Sequence, residues 1–313
     1  MVDQPGSRLR RRVVALLRFV VSIVLIAILV NRVGLEVLAN RLISLDGRFL
    51  AVAAGFQLFG VIISTLKWQW FLEAEHGPTR FTRLLRFYLV GSFFNNFLPS
   101  SVGGDVVRMW QASAVYGRRS AIVRSILLER LSGVAAILIL CLATAPFLTA
   151  ALPALDISGF AGIIGLIGAA MIAVLVTVRF APRLVERVVS LIAIPHELRS
   201  LRLWFAAMTI SFIFQINAAV IVWFVGRSLA LPTGLWPVVL CMPLISLLSM
   251  MPITVNGFGL REGAFVALFG LFGVPAEASL AWSITVYLTV AAVSLVGGVM
   301  YALQTEPLQT VEG

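Results

Sequence analysis

The sequence predicts an all-α polytopic membrane protein with six full spans and two re-entrant or broken helical hairpins, arranged as an inverted repeat. Three observations predict this fold class: the composition, the apolar runs, and two matched interruptions rich in glycine and proline. The 313 residues are 60% hydrophobic and only 12% charged, whereas a soluble domain carries about 25% charged residues. A soluble enzyme and a disordered chain are therefore not expected.

The basic character of the chain fits a membrane surface better than a nucleic acid. The formal net charge is +10. The arginines lie in short clusters between apolar runs, which is typical of the cytoplasmic face of a membrane protein. We therefore expect no nucleic-acid partner.

Six apolar runs approach or exceed the length of a membrane span, which is about 20 residues. We interpret the first run as a retained helix and not as a signal peptide, because Asn31 and Arg32 follow it where small residues would mark a cleavage site. The sequence thus predicts a basic N-terminal segment (1–12), one membrane domain (13–303) and a tail (304–313). The six runs are 13–30, 49–66, 125–147, 159–178, 203–225 and 278–303.

Two further stretches are apolar but interrupted, over residues 87–98 and 235–274. Proline removes a backbone donor, and glycine permits conformations that other residues avoid. We expect both stretches to form hairpins whose irregular backbone is covered by protein or water. The backbone positions expected to break the helices are Pro99, Gly103, Gly104, Pro252, Gly257 and Gly259.

The distribution of arginine predicts the orientation of the segments. Arginines lie on both sides of the first interrupted stretch and within the loop 179–202, but not within the loop 273–277. By the positive-inside rule, both termini are cytoplasmic and the halves 13–148 and 159–303 have opposite orientations in the cell (inner, cytoplasmic) membrane. The loop 31–48 carries arginines on the predicted outer side and is the weakest point of this assignment.

The two interruptions resemble each other in sequence. Residues 98–108 and 251–261 align without gaps. Chance similarity is the alternative, but the reversed topology of the two halves favours a true repeat. Inverted repeats with paired broken helices indicate a transporter site near the bilayer midplane, where helix N-termini attract anions. The identical pairs are Pro99 with Pro252, Val102 with Val255, Gly104 with Gly257, and Arg108 with Arg261.

Four charged residues accompany these interruptions. Asp105 and Arg108 lie three residues apart, so they share a helix face and are able to pair. Arg261 and Glu262 are adjacent, and we expect them to need other partners; cross-pairs of Asp105 with Arg261 and of Glu262 with Arg108 stay open. Ionisable groups inside a membrane usually face a pathway, and arginine suits phosphate. The alternative is that these charges are solvated at the membrane surface.

Further polar residues complete the candidate site, each with a structural alternative. The amides of Asn95 and Asn96 would bind a headgroup or only link helices. Glu129 and Arg130 would be a pathway pair or an interfacial anchor, whereas Lys67 is expected to snorkel to the surface. The candidate substrate-binding residues are Asn95, Asn96, Asp105, Arg108, Glu129, Arg130, Asn256, Arg261 and Glu262.

Catalytic and metal-binding patterns are missing from the sequence. It contains no GxSxG, Walker or HExxH motif. His76 and His196 lie in predicted loops and form no metal constellation. We therefore expect no cofactor, no metal and no enzymatic activity.

The two motifs together resemble a known family. The strings Asn95–Arg108 and Val255–Gly263 are similar to the lysylphosphatidylglycerol synthase transmembrane region, a flippase-like domain family. The resemblance covers nearly the whole chain and implies a role in moving lipids between leaflets. The sequence lacks the aminoacyl-transferase domain of the full synthases, so we expect no synthase activity, and the lipid stays open.

The sequence thus favours a lipid translocase that moves a phospholipid or an isoprenoid-linked lipid through a central polar cavity. Two alternatives stay open: a membrane scaffold or accessory subunit of an envelope glycolipid pathway, and a lipid-modifying membrane enzyme. The expected partner is a membrane lipid. Gly297 and Gly298 would also suit helix packing within a chain or in a homo-oligomer, and a partner enzyme is an open expectation as well.

Overall fold

The computed structural model describes residues 42–97, 103–151, 200–251 and 254–303, and the described residues are helical with short connections. A helix satisfies its own backbone donors and acceptors, which a segment surrounded by hydrocarbon requires. The eight described helices are α1 (Gly47–His76), α2 (Phe81–Phe97), α3 (Gly103–Tyr116), α4 (Arg119–Ala151), α5 (Leu201–Ser228), α6 (Leu235–Ser249), α7 (Leu260–Gly270) and α8 (Ala276–Ala302).

Four of these helices, α1, α4, α5 and α8, are long and apolar enough to cross a membrane. They correspond to four of the six predicted spans. The predicted spans 13–30 and 159–178, both termini, Pro99 and Pro252 lie outside the described residues. Helix α1 continues to His76, beyond the predicted end at residue 66.

The two interrupted stretches each form a pair of short helices. Helices α2 and α3 have 17 and 14 residues, and α6 and α7 have 15 and 11, all below the roughly 20 residues of a span. Between α6 and α7, φ is positive at Asn256 (50°), Gly257 (75°) and Gly259 (83°). Glycine adopts this backbone without strain, which explains why the second break occurs at this point.

The packing of the helices has a two-fold pattern. Helix α1 packs against α5, the first described helix of the second half. We exchange α1 with α5, α2 with α6, α3 with α7, and α4 with α8. Every other packed pair among the described helices then becomes another packed pair. The exchanged pairs are α2·α8 with α6·α4, α2·α3 with α6·α7, α3·α4 with α7·α8, α1·α4 with α5·α8, α1·α2 with α5·α6, and α4·α5 with α8·α1.

Helix α2 is held closely against the second half of the chain. A Cβ atom on Gly297 of α8 would overlap the carbonyl of Leu89, and one on Gly298 would lie 2.7 Å from the Phe93 ring. At the crossing of α1 and α5, Asn217 donates to the carbonyl of Phe56 at 3.1 Å. Small residues let helix backbones approach in a membrane, and here Gly297 and Gly298 let α8 approach α2.

The largest buried cluster lies mainly in the second half and is centred on Trp282. Its ring stacks on Phe269 at 4.4 Å, and its indole N–H donates to the carbonyl of Val222 at 2.6 Å. Gly226 leaves room for the ring, since a Cβ atom there would lie 2.7 Å from it. This packing fixes α5, α7 and α8 to one another.

Candidate functional site

The centre of the polar site is Arg108, which is 2% exposed. It lies in the second turn of α3, and its guanidinium lies over the rings of Trp68 and Tyr88, with centroid distances of 4.5 and 4.6 Å. Such cation–π contacts stabilise a buried arginine. One terminal nitrogen donates to Glu129 Oε2 at 2.7 Å, but Arg108 Nε has no hydrogen-bond partner within the described residues.

Glu129 anchors this arginine from α4 and is itself 4% exposed. The Tyr88 hydroxyl donates to Glu129 Oε1 at 2.9 Å. Both carboxylate oxygens therefore accept a hydrogen bond, one from a cation and one from a phenol. A buried ion pair needs such additional hydrogen bonds to compensate for lost hydration.

A second ion pair lies beside the first. Arg130 donates to both oxygens of Asp105, at 3.0 Å from Nε and 2.9 Å from Nη2. Asp105 also lies 3.3 Å from Arg108. The side chain of Arg130 is 48% exposed, whereas that of Asp105 is 15% exposed. Asp105 therefore joins a fixed, buried arginine to an accessible one.

Lys67 is buried in the same region and does not reach the surface. Its ammonium donates to the Ser211 hydroxyl at 3.1 Å, and the residue is 5% exposed. A Cβ atom on Gly133, one turn after Glu129, would lie 3.9 Å from Lys67 Nζ. The expectation of a snorkelling lysine is therefore wrong, because the packing of α1 on α4 and α5 covers this turn.

Asp105, Arg108 and Arg130 border a cavity of about 190 Å³. Five of the nine predicted binding residues line it, together with residues of α1, α5 and α8. The predicted residues in the lining are Asn95, Asn96, Asp105, Arg108 and Arg130; the other described lining residues are Gln57, Gly60, Val61, Ser64, Tyr88, Gly91, Ser92, Phe214 and Val290.

The predicted glycine at position 104 allows α2 and α3 to approach each other beside the cavity. A Cβ atom on Gly104 would overlap the carbonyl of Gly91 and lie 2.6 Å from the Asn95 side chain. In the observed structure, the Gly104 N–H donates to Asn95 Oδ1 at 2.8 Å. Asn95 therefore satisfies an N–H at the start of α3, which an intrahelical bond does not reach, while Gly103 begins the same helix.

The second motif forms its own charged cluster outside the cavity lining. Arg261 donates to Glu262 Oε1 at 2.6 and 3.1 Å, and the Gly259 N–H donates to Glu262 Oε2 at 2.6 Å. The Ser283 hydroxyl adds a bond to Oε1 at 3.3 Å. The expectation that Arg261 and Glu262 need other partners is wrong, because the long arginine side chain folds back onto the neighbouring carboxylate.

Neither cross-pair between the motifs forms in the described part of the chain; Asp105 pairs with Arg130 and Arg108 instead. Arg261 lies over the rings of Phe258 and Tyr287, at 5.5 and 5.1 Å. Aromatic faces thus stabilise the arginine of each motif.

The two motifs meet at the C-terminal end of α2. Asn256 donates to the carbonyl of Asn95 at 3.0 Å, and the Tyr287 hydroxyl donates to the carbonyl of Asn96 at 3.0 Å. The last carbonyls of a helix have no intrahelical donor. The second half of the chain therefore supplies the donors that the end of α2 lacks.

Sequence reasoning missed the aromatic residues that hold Arg108. Tyr88 lies in the short apolar stretch, and Trp68 follows the buried lysine, with its indole N–H donating to Ser125 at 3.0 Å. A tyrosine inside an apolar stretch was the available signal, because a buried phenol usually requires a hydrogen-bond partner. Tyr287 carries the same signal in α8.

The comparisons with known proteins agree with this membrane architecture. A search of curated proteins gives no match. The family model described as the lysylphosphatidylglycerol synthase TM region matches residues 15–298, which include every described helix except the last turn of α8. The match therefore covers both motifs and every residue that lines the cavity. The chain belongs to the family of the lysylphosphatidylglycerol synthase transmembrane region.

Proposed function

We propose that this chain is a lipid translocase that carries a phosphate-bearing headgroup through the polar cavity between leaflets. Membership of a lipid-associated membrane family supports a role in lipid handling. The single observation that carries the finer proposal is the accessible arginine in the cavity. Arg130 lines it and is half exposed, and the buried Nε of Arg108 offers a further donor.

The chemistry of these donors favours a phosphate. Arginine presents a planar fork that matches phosphate oxygens, and such bidentate bonds are charge-assisted. The amides of Asn95 and Asn96 lie in the same lining, where they would contact the neutral part of a headgroup. We therefore assign phosphate binding to Arg130 and Arg108. Arg261 does not line the cavity and is connected to it only through Tyr287, which donates to a carbonyl at the end of α2.

The size of the cavity supports entry of a headgroup alone. The cavity of about 190 Å³ is smaller than the roughly 300–1,000 Å³ of pockets that enclose a drug-sized ligand. Exposed apolar side chains neighbour the charged rim: Val106 is 52% exposed beside Asp105, and Leu131 is 46% exposed beside Arg130. This pattern suits an amphipathic ligand whose acyl or isoprenoid chains stay in the bilayer.

The proposed route uses an inverted repeat. The exchange pattern of packed helices and the paired short helices support a two-fold relation between the halves. With both termini cytoplasmic, as the arginine clusters favour, the hairpins α2–α3 and α6–α7 enter from opposite faces of the cell membrane. In this proposal, the cavity beside the first hairpin opens to either side in turn as the halves move.

In this proposal the chain is a carrier and not an enzyme. Asp105, Glu129 and Glu262 each hold an arginine, so none of these carboxylates is placed to accept a substrate proton. The driving force would be the lipid gradient or a partner. A covalently altered lipid in vesicles that contain only this protein would contradict the carrier assignment.

The proposal is tested by reconstitution into phosphatidylcholine vesicles that contain a trace of headgroup-labelled phosphatidylglycerol. Quenching of the outer leaflet reports movement between leaflets. Arg130→Ala should slow the movement at least tenfold, because the accessible phosphate ligand is lost. The matched control is Arg124→Ala, which removes another arginine from an ion pair, here with Glu75 at 2.9 Å and away from the cavity lining.

We expect Arg124→Ala to keep the wild-type rate within twofold. Wild-type vesicles that move lipid no faster than protein-free vesicles would overturn the proposed function for this lipid class. Equal rates for wild type and Arg130→Ala would overturn the role of the cavity.

A further inference from the structure

The two ion pairs of the site differ in how firmly they are held. In the Arg108–Glu129 pair, the side chains are 2% and 4% exposed, and two aromatic rings and the Tyr88 hydroxyl surround it. In the Arg130–Asp105 pair, they are 48% and 15% exposed. Water screens an exposed pair and lowers its net contribution. The first pair is therefore the more firmly held of the two.

We propose that Asp105 is an internal competitor for the lipid phosphate: its carboxylate occupies the Arg130 fork in the resting site, and a phosphodiester headgroup displaces it. This inference rests on the proposed function, because it assigns the residue that sets phosphate affinity at the same cavity. Asp105 is thus a specificity-determining residue. A ligand must present oxygens that compete for a bidentate arginine, which diacylglycerol and other neutral lipids lack.

The geometry permits this exchange without leaving a charge unpaired. Arg130 binds both Asp105 oxygens, at 2.9 and 3.0 Å, and two phosphate oxygens match the same fork. The displaced carboxylate already lies 3.3 Å from Arg108, which remains bonded to Glu129. Asp105 therefore keeps one arginine partner after it releases the other.

The charge of the described cluster indicates the class of anion. Lys67, Arg108 and Arg130 supply three positive charges, against two carboxylates from Asp105 and Glu129. One negative charge from a ligand balances the cluster. A phosphodiester such as that of phosphatidylglycerol carries a single negative charge, so it fits better than a pyrophosphate.

Binding of short-chain phosphatidylglycerol to the purified chain in a neutral detergent tests the proposal. Asp105→Asn keeps the side-chain shape but removes the competing charge, and it should tighten binding about three- to fivefold, the upper part of the range that a partly exposed ion pair contributes. Arg130→Ala should weaken binding at least tenfold. In the double variant, the gain from Asp105→Asn should vanish, because the freed arginine is absent.

The matched control is Glu75→Gln, which neutralises a carboxylate in the Arg124 pair outside the cavity lining and should leave affinity within twofold. A second variant, Asp105→Glu, retains the competing charge and should stay within threefold of wild type. Short-chain diacylglycerol should bind equally to wild type and Asp105→Asn.

Unchanged or weaker binding in Asp105→Asn would overturn the proposal, as would a gain that persists in the Arg130→Ala background. If Asp105→Asn does not fold, Asp105→Glu gives the deciding result. This variant retains the competing charge, so an affinity at least tenfold above that of wild type would overturn the proposal. If binding follows these expectations but no lipid moves between leaflets, the competition by Asp105 stands and the translocase function is overturned. If lipid moves but binding does not depend on Asp105, the translocase function stands and the competition is overturned.

Discussion

Glu129 offers the sharpest test of how the buried site is held together, because two replacements should have different costs. Glu129→Gln keeps the shape: the carboxamide oxygen is able to accept from Arg108 while its nitrogen donates to the Tyr88 oxygen. The Tyr88 bond becomes a neutral one, worth about 0.5–1.5 kcal/mol in place of about 1.5–3 kcal/mol, and the Arg108 bond keeps its charged donor but loses the opposite charge of the carboxylate. The expected loss is therefore about 2 kcal/mol. Glu129→Leu leaves a buried arginine charge without its main partner, which costs about 3–5 kcal/mol.

The free energy of unfolding is measured by denaturant titration in mixed micelles. Glu75→Gln is the control, because its pair with Arg124 is more exposed and we expect a loss below about 1 kcal/mol. If Glu129→Gln destabilises the chain as strongly as Glu129→Leu, the hydrogen-bond reasoning is wrong. If neither variant changes the free energy of unfolding, the buried pair does not stabilise the fold.

Three further substitutions test the packing and charge around the cavity. Gly104→Ala places a methyl group on the backbone of α2 and should lower the free energy of unfolding by roughly 1–3 kcal/mol, which the same titration measures. Tyr287→Phe removes the donor to Asn96 and should cost about 1 kcal/mol, whereas Tyr301→Phe, at an exposed tyrosine, should cost nothing measurable. Lys67→Met keeps the buried stem but removes the ammonium, so affinity for short-chain phosphatidylglycerol should fall several-fold; unchanged affinity would contradict the charge count.

The helical membrane fold could be predicted from composition and from the lengths of the apolar runs, because both follow from the chemistry of hydrocarbon. The interrupted stretches were also visible, since glycine and proline mark the places where a helix stops. The helix ends were less predictable. Helix α1 continues to His76 because Glu73 bonds with Gln69 and with Thr79, and polar residues of this kind do not resemble a span.

The site was only partly predictable, because its partners are distant in sequence. The spacing of Asp105 and Arg108 placed both on one helix face, and they lie 3.3 Å apart. The link from Arg108 to Glu129 depends on how α3 packs against α4, which spacing does not encode. The sequence also suggested pairing between the motifs, whereas Arg261 bonds its own neighbour, Glu262. The side-chain conformation of Arg261 and the packing around it determine this pairing.

The hydrogen bonds from Asn256 and Tyr287 to the last carbonyls of α2 have a consequence for hydration. Any rocking motion that parts the two halves exposes these carbonyls, and an exposed carbonyl inside a membrane costs several kcal/mol unless water replaces the donor. Separation of the halves and wetting of the interior are therefore one coupled event. A dry gap between the motifs would be costly, so, under the proposed function, a polar headgroup would meet a solvated path when the halves part.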